Sequence, residues 1–199
     1  MISVIIPTKD SERELVPVLS ALVAGVTAGI LRDVILVDGG SVDETAKIAD
    51  AAGCLFIPSV NDPGLRMKQG AQHSRGRWLL FLGANAVLAE GWAREVGAFL
   101  ETAERRGAAD RMVATFRLSV DGFGLRPRFG EAVAAAKLAV FGRPKAGQGL
   151  LISRKHYERI GGHAAGVATE RRLFSRIRRR DMYVFQSRVM LAEADVSAP

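Results

Sequence analysis

Cysteine is almost absent from this sequence: Cys54 stands alone among 199 residues. A single thiol excludes a disulfide framework and any zinc site built on several thiolates. Histidine is nearly as scarce, and His73, His156 and His163 lie too far apart in sequence to form a local metal motif. No hydrophobic run is long enough to span a bilayer. The longest uncharged stretch, residues 15–31, falls short of the roughly 20 apolar residues a spanning helix needs, and Pro17, Ser20, Gly25, Thr27 and Gly29 interrupt it. No G-x-G-x-x-G follows the first strand-like run and no G-x-x-x-x-G-K-[ST] occurs, which disfavours a Rossmann dinucleotide site and a P-loop. Met1 leads directly into a strand-like run with no basic segment before it, so a cytoplasmic, soluble protein is the expectation.

What is present is the composition of a folded domain. Hydrophobic residues make up 48% and charged residues 25%, and the length suits one domain. The 28 Lys+Arg against 21 Asp+Glu give a net charge of +7. That charge is unevenly placed. Residues 1–62 carry nine acidic and four basic side chains, whereas the rest carry twelve acidic and twenty-four basic. The asymmetry directs the second half toward an anionic partner (a phosphorylated substrate, a membrane surface or nucleic acid) or marks a solvated basic face.

Ser3-Val4-Ile5-Ile6-Pro7 reads as a buried strand stopped by Pro7. Ser11 or Asp10 is placed to cap a helix over 12–23, where Leu15, Val18, Leu19 and Leu22 fall at helical spacing. Residues 34–37 form a second strand, broken by Asp38-Gly39-Gly40-Ser41. Ser41 to Glu44 fits an S-x-x-E capping box and predicts a helix over 42–52. A third strand over 54–57 and a helix over 65–74 follow. Trp78-Leu79-Leu80-Phe81-Leu82 is a wholly apolar fourth strand, expected at the sheet centre. A helix over 91–106 and a strand over 112–118 complete an alternation that predicts an α/β fold with a largely parallel sheet. Beyond Ser119 the rhythm changes. Residues 121–128 are loop-like, 131–141 form an Ala-rich helix candidate, 150–153 a short strand and 155–160 a short helix. A very basic helix is expected over 169–180, then a strand over 182–186.

In an open α/β sheet, ligands bind beyond the carboxyl ends of the strands. The first suspects are therefore Thr8, Lys9 and Asp10; Asp38, Gly39 and Gly40; Ser59; and Gly83, Ala84 and Asn85. At this point the order of motifs becomes informative. Ser3-Val4-Ile5-Ile6-Pro7-Thr8, then Val37-Asp38-Gly39-Gly40-Ser41-Val42-Asp43-Glu44-Thr45, then Gly70-Ala71 leading to Gly76-Arg77-Trp78-Leu79-Leu80-Phe81-Leu82, resembles glycosyltransferase family 2. Gly147-Gln148-Gly149-Leu150 and Tyr157-Glu158-Arg159-Ile160-Gly161-Gly162 resemble the acceptor-side half of that family. The resemblance implies a GT-A fold in one domain, with a nucleotide-sugar-binding half over 1–118 and an acceptor-side half over 119–199. It implies a sugar nucleotide donor, most often a UDP-sugar, and transfer of the sugar to an acceptor hydroxyl with inversion. It places Asp38 where the family binds the nucleoside, with Thr8, Asp10 and Gly39 in the same crevice. The alternative is that Asp38 merely shapes the Gly39-Gly40 turn.

The departures from the family pattern are as informative as the matches. The fourth strand commonly ends in a D-x-D element whose carboxylate holds a divalent metal, magnesium or manganese, on the diphosphate. Here the segment is Gly83-Ala84-Asn85-Ala86, so Asn85 would be a neutral and weak ligand. The family's late E-D pair, whose aspartate acts as base, is matched by Thr169-Glu170-Arg171, which makes Glu170 either the catalytic base or an ordinary helix carboxylate. Gly147 and Ser11 stand where related sequences often carry acids. Six arginines fall within residues 171–180, and Arg172, Arg176 and Arg179 would share one helical face. Arg172 or Arg176 could then steady the diphosphate. The run could instead dock on an anionic membrane surface near a lipid-linked acceptor at the inner face of the membrane. A solvated face is a third reading, and nucleic acid the least favoured because no binding motif accompanies the run. Two other functions stay open: a non-catalytic sugar-nucleotide-binding or interaction domain, and a nucleotidyltransferase. The latter is weakened because Thr8-Lys9-Asp10 replaces a Gly-rich phosphate loop.

Overall fold

A computed structural model describes residues 1–120 and 148–191. The loop expected over 121–128, the Ala-rich helix over 131–141 and the position of Gly147 lie outside the described residues. The elements in chain order are β1 (Ile2–Thr8), α1 (Glu12–Thr27), β2 (Leu31–Asp38), α2 (Thr45–Ala51), β3 (Leu55–Pro58), α3 (Pro63–His73), β4 (Trp78–Phe81), β5 (Ala86–Leu88) and α4 (Trp92–Arg105). They continue with β6 (Val113–Val120), β7 (Leu150–Ser153), α5 (Arg154–Arg159), α6 (Thr169–Phe174), one 3-10 turn (Arg179–Asp181) and β8 (Met182–Leu191).

The eight strands among the described residues join one sheet in the order β3-β2-β1-β4-β7-β6-β8-β5. The block β3-β2-β1-β4 is parallel. Strand β7 is antiparallel to both β4 and β6, β8 is parallel to β6, and β5 closes the far edge antiparallel to β8. The sheet is thus mixed but mostly of one sense, as the alternation of strands and helices predicts. It takes strands from both sides of Ser119.

The apolar runs arise because both faces of the sheet are covered. On β1, Ile2, Val4 and Ile6 point to one face and pack with Leu15, Val18 and Leu22 of α1 and Trp92, Val96 and Phe99 of α4. Ile5 points to the other face, with Met67 and Ala71 of α3, Tyr157 of α5 and Leu173 and Phe174 of α6. Strand β4 is buried at every position and sits in the middle of the order.

Three local expectations are corrected. Helix α2 begins at Thr45, not at residue 42, because Ser41 bonds to Asp38 and does not cap a helix. Glu44 takes the N-cap position with no side-chain cap bond, and Asp43 before it accepts from the Thr45 amide at 3.1 Å and the Thr45 hydroxyl at 2.6 Å. Strand β5 was not expected, since three residues between a turn and a helix carry little periodic signal. The basic helix over 169–180 stops at Phe174. Its chain tightens there into i to i+3 bonds, Arg176 N to Leu173 O and Ile177 N to Phe174 O, and clustered like charges oppose further helix.

Candidate active site

The parallel register sets Thr8 beside Asp38, so β1 and β2 end together. Asp38 is 4% exposed, and its carboxylate accepts four bonds. Oδ1 takes the Thr8 hydroxyl at 3.0 Å and the Ser41 hydroxyl, while Oδ2 takes the amides of Gly40 at 2.9 Å and Ser41 at 2.8 Å. Burial pushes this carboxyl up, but the bonds from Ser41, Thr8 and Gly40 outweigh it and hold Asp38 below the ordinary aspartate value. Thr8 is fully buried. Asp10, in the left-handed region at φ 47°, laces the two strand ends together. Its amide donates to the Ser41 hydroxyl at 2.8 Å and its carboxylate accepts from the Val42 amide at 2.8 Å.

Beneath this turn lies a cation that the sequence reading missed. Arg66 of α3 is only 9% exposed and donates from Nη1 to the Thr8 carbonyl at 2.6 Å. Its Nε is buried and has no partner among the described residues. Burial lowers the Arg66 pKa, and the neighbouring Asp38 and Asp62 carboxylates act against that. Gly39 makes the approach possible, because a Cβ there would stand 2.9 Å from Nη1. A single arginine inside a helix reads in sequence as a solvated charge; the signal that could have marked it is its place one turn after the strand-end loop of β3.

The start of α3 also carries the second half of the site. Asp62 caps α3 by accepting from the Leu65 amide at 2.8 Å, and its other oxygen accepts from the Gly166 amide at 2.8 Å. The bond from Leu65 is the main cause of its lowered pKa. Gly64 touches the same loop so closely that a Cβ would fall 1.9 Å from the Ala164 carbonyl oxygen and 3.0 Å from Thr169 Oγ1. These contacts pin the start of α6 to the edge that holds Arg66. Glu170, half-buried, is the second residue of α6. Gly64→Ala is expected to destabilise the protein by about 1–3 kcal/mol, the usual cost of overpacking against backbone. Thermal unfolding checks this; an unchanged melting temperature would mean the loop yields freely.

The loop over 160–168 is seated from below by two buried rings. The Tyr157 hydroxyl meets His163 Nδ1 at 2.9 Å and accepts from the His163 amide at 3.0 Å. The His163 ring stands edge-on to Phe81 with centroids 4.6 Å apart. Burial takes His163 down to about 4 and Tyr157 up to about 12, so both are neutral and structural at pH 7.

The arginines do not form the single helical face expected of them. Arg172 is exposed and reaches toward the Ala165 carbonyl at 3.5 Å. Arg176 donates to the Ile160 carbonyl at 2.8 Å, at the end of α5. Arg179 lies in the turn before β8, whose first residue pairs with the first residue of β6 at the opposite edge of the sheet.

Asn85 lies in the turn between β4 and β5 and is half-buried. Among the described residues, no group of three or more His, Cys, Asp or Glu is placed to hold a metal ion. The turn after β4 presents an amide where a hard cation prefers carboxylates, so the donor set there does not fit a tightly held magnesium or manganese ion.

The pattern that defines glycosyl transferase family 2 matches residues 3–175, nearly the whole chain. The chain belongs to that family. A PGL/p-HBAD biosynthesis glycosyltransferase of Mycobacterium bovis is 38% identical over 101 residues, which cover 45% of this chain and 37% of that protein. The Mycobacterium tuberculosis protein of the same description matches equally. The chain therefore spans well under half the length of these curated relatives. Among solved structures, S. aureus TarS in complex with UDP-GlcNAc superposes with a TM-score of 0.71 at 15% identity, covering 100% of this chain and 61% of that one. Glucosyl-3-phosphoglycerate synthase from Mycobacterium tuberculosis, in complex with Mn2+, UDP and glucosyl-3-phosphoglycerate, gives 0.65 at 18% identity, covering 96% and 70%. These glycosyltransferase structures share the fold of this family 2 chain, the GT-A architecture expected from its motifs.

Proposed function

We propose that this chain transfers a sugar from a nucleotide-sugar donor, a UDP-sugar, to an acceptor hydroxyl with inversion. The observation that carries the reading is one edge of the sheet that holds a locked anionic turn, a buried guanidinium and a carboxylate-bearing helix. Asp38 fixes the loop against which the nucleoside lies, with Thr8 and Asp10 bracing it and Gly39 leaving room for Arg66. The UDP and UDP-GlcNAc bound by the fold neighbours support a uridine nucleotide as donor.

In the transfer, the acceptor oxygen bonds to the anomeric carbon as the bond from that carbon to the diphosphate oxygen breaks. Glu170 takes the acceptor proton, and the bonding electrons leave with the nucleoside diphosphate. Arg66 supplies fixed positive charge beneath the donor, where low dielectric strengthens it. Arg172, two residues beyond Glu170, adds an exposed cation on the acceptor side, and Arg176 holds the loop between α5 and α6.

Calorimetric titration with UDP, UDP-glucose and UDP-GlcNAc, each with and without manganese, tests the reading. Donor binding that survives EDTA is expected, because Asn85 adds no charge attraction for an ion. Asn85→Asp should raise manganese affinity by restoring a charged oxygen at the strand end. Equal affinity in both proteins would move the metal position away from residue 85. The neutral Asn85 also favours one rival, a binding domain without catalysis; nucleotide binding with no turnover on any acceptor would select it. No binding of any nucleotide would defeat both.

A further inference from the structure

The protein's basic residues gather at the edge of the sheet opposite the crevice. Strands β4, β6 and β8 share the sense of β1, so their first residues lie at the end remote from Thr8 and Asp38. Strand β7 runs the other way and delivers its last residue, Ser153, to the same end, paired with Trp78. Each chain segment arriving at or leaving that edge carries cations. Arg77 precedes β4, Arg111 precedes β6 and Lys155 follows β7, all three exposed. These take the acids of the edge: Arg77 meets Glu104 at 3.3 Å, Arg111 meets Asp181 at 3.3 Å and Lys155 meets Asp110 at 3.0 Å. The cations that remain are in excess. Arg105 and Arg106 end α4, Arg178 precedes the turn before β8 and Arg180 lies within it; all four are exposed and have no acidic partner among the described residues.

We propose that this edge is a docking face for an anionic phospholipid surface. Four adjacent strand ends spaced by about 4.8 Å make a band about 14 Å across, a broad front rather than a pocket for one phosphate. Guanidinium groups pair with phosphate oxygens through two donors at once. Beside them Tyr183, the second residue of β8, is 41% exposed while its ring packs 5.3 Å from Phe99 and 5.4 Å from Phe185. A tyrosine with a buried body and an exposed rim suits the headgroup boundary of a bilayer. Docking here leaves the crevice pointing away from the lipid and open to solution. The inference does not depend on the sugar-transfer reading, since it concerns the other end of the sheet.

Vesicle co-sedimentation of the full chain tests it, using phosphatidylcholine alone and phosphatidylcholine with phosphatidylglycerol. Binding is expected only to the mixed vesicles and should weaken steeply as salt rises. Arg105→Gln, Arg106→Gln, Arg178→Gln and Arg180→Gln combined should reduce it at least about tenfold, as expected for lost phosphate contacts on an anionic surface. UDP affinity and melting temperature should stay unchanged. A charge-matched variant with Lys47, Lys68, Arg94 and Arg188 changed to Gln should bind vesicles nearly as wild type does. Equal loss in the two variants would reduce the effect to net charge and overturn the proposal. Equal binding to neutral vesicles, or tighter binding to a short RNA duplex than to the mixed vesicles, would also overturn it.

Discussion

Asp38→Ala is expected to lower stability by about 3 kcal/mol and to abolish nucleotide binding together. The first part follows from the four donors on the Asp38 carboxylate. Removing it strands the buried Thr8 hydroxyl, which costs about 1–3 kcal/mol, and takes the charged acceptor from the Gly40 and Ser41 amides, which adds to that cost. The second part follows because Ser41 also anchors Asp10, so the two strand-end loops lose their common point. The same carboxylate sets an acid limit. Its pKa is held below the ordinary 3.8, so its stabilisation is complete above that value and disappears as pH falls through the lower folded value. Wild type should therefore lose stability below about pH 4, and Asp38→Ala should lose less over the same interval. Denaturant titrations at neutral and acid pH check both; an Asp38→Ala protein as stable as wild type would reduce the carboxylate to a spectator.

Glu170→Gln is expected to cut kcat by about 10²–10⁴-fold, the range for a lost general base. UDP affinity should be unchanged, because the donor lies against the β1 and β2 loops. Glu170→Asp should recover part of the rate, since a carboxylate one methylene shorter still accepts a proton. Steady-state kinetics against the preferred acceptor separates this from a structural role. A structural carboxylate would alter melting temperature and leave kcat largely intact in both variants.

Seven of the eight described strands, all but β5, were legible because apolar runs buried in the sheet need no fine reading of period. Strand β4 is the clearest case, with four consecutive buried residues where the sequence shows only large apolar ones. The family motifs drew attention to Asp38, whose carboxylate holds the turn after β2 through four donors, and to Glu170, whose role as base is a proposal. Contacts remote in sequence were not legible. Ser41 to Glu44 has the form of a capping box, yet the Ser41 hydroxyl is drawn to Asp38, and local pattern yields to that charged acceptor. The six arginines read as one helix, but the chain tightens after Phe174 and Arg176 turns back to the end of α5. Arg66 was invisible because its role depends on α3 packing beneath β1, on the room that Gly39 leaves, and on the Thr8 carbonyl 58 residues away in sequence.

Hydrogen exchange with and without UDP tests the central claim most directly, because it reports where on the chain the nucleotide lies. Saturating UDP should slow exchange at the amides of Lys9 and Asp10 and of residues 39–42, and extend to the start of α3 around Arg66. The opposite edge, residues 178–181, should be unaffected. Protection confined to that opposite edge, or none around Asp38 despite saturated binding, would contradict the placement of the donor site.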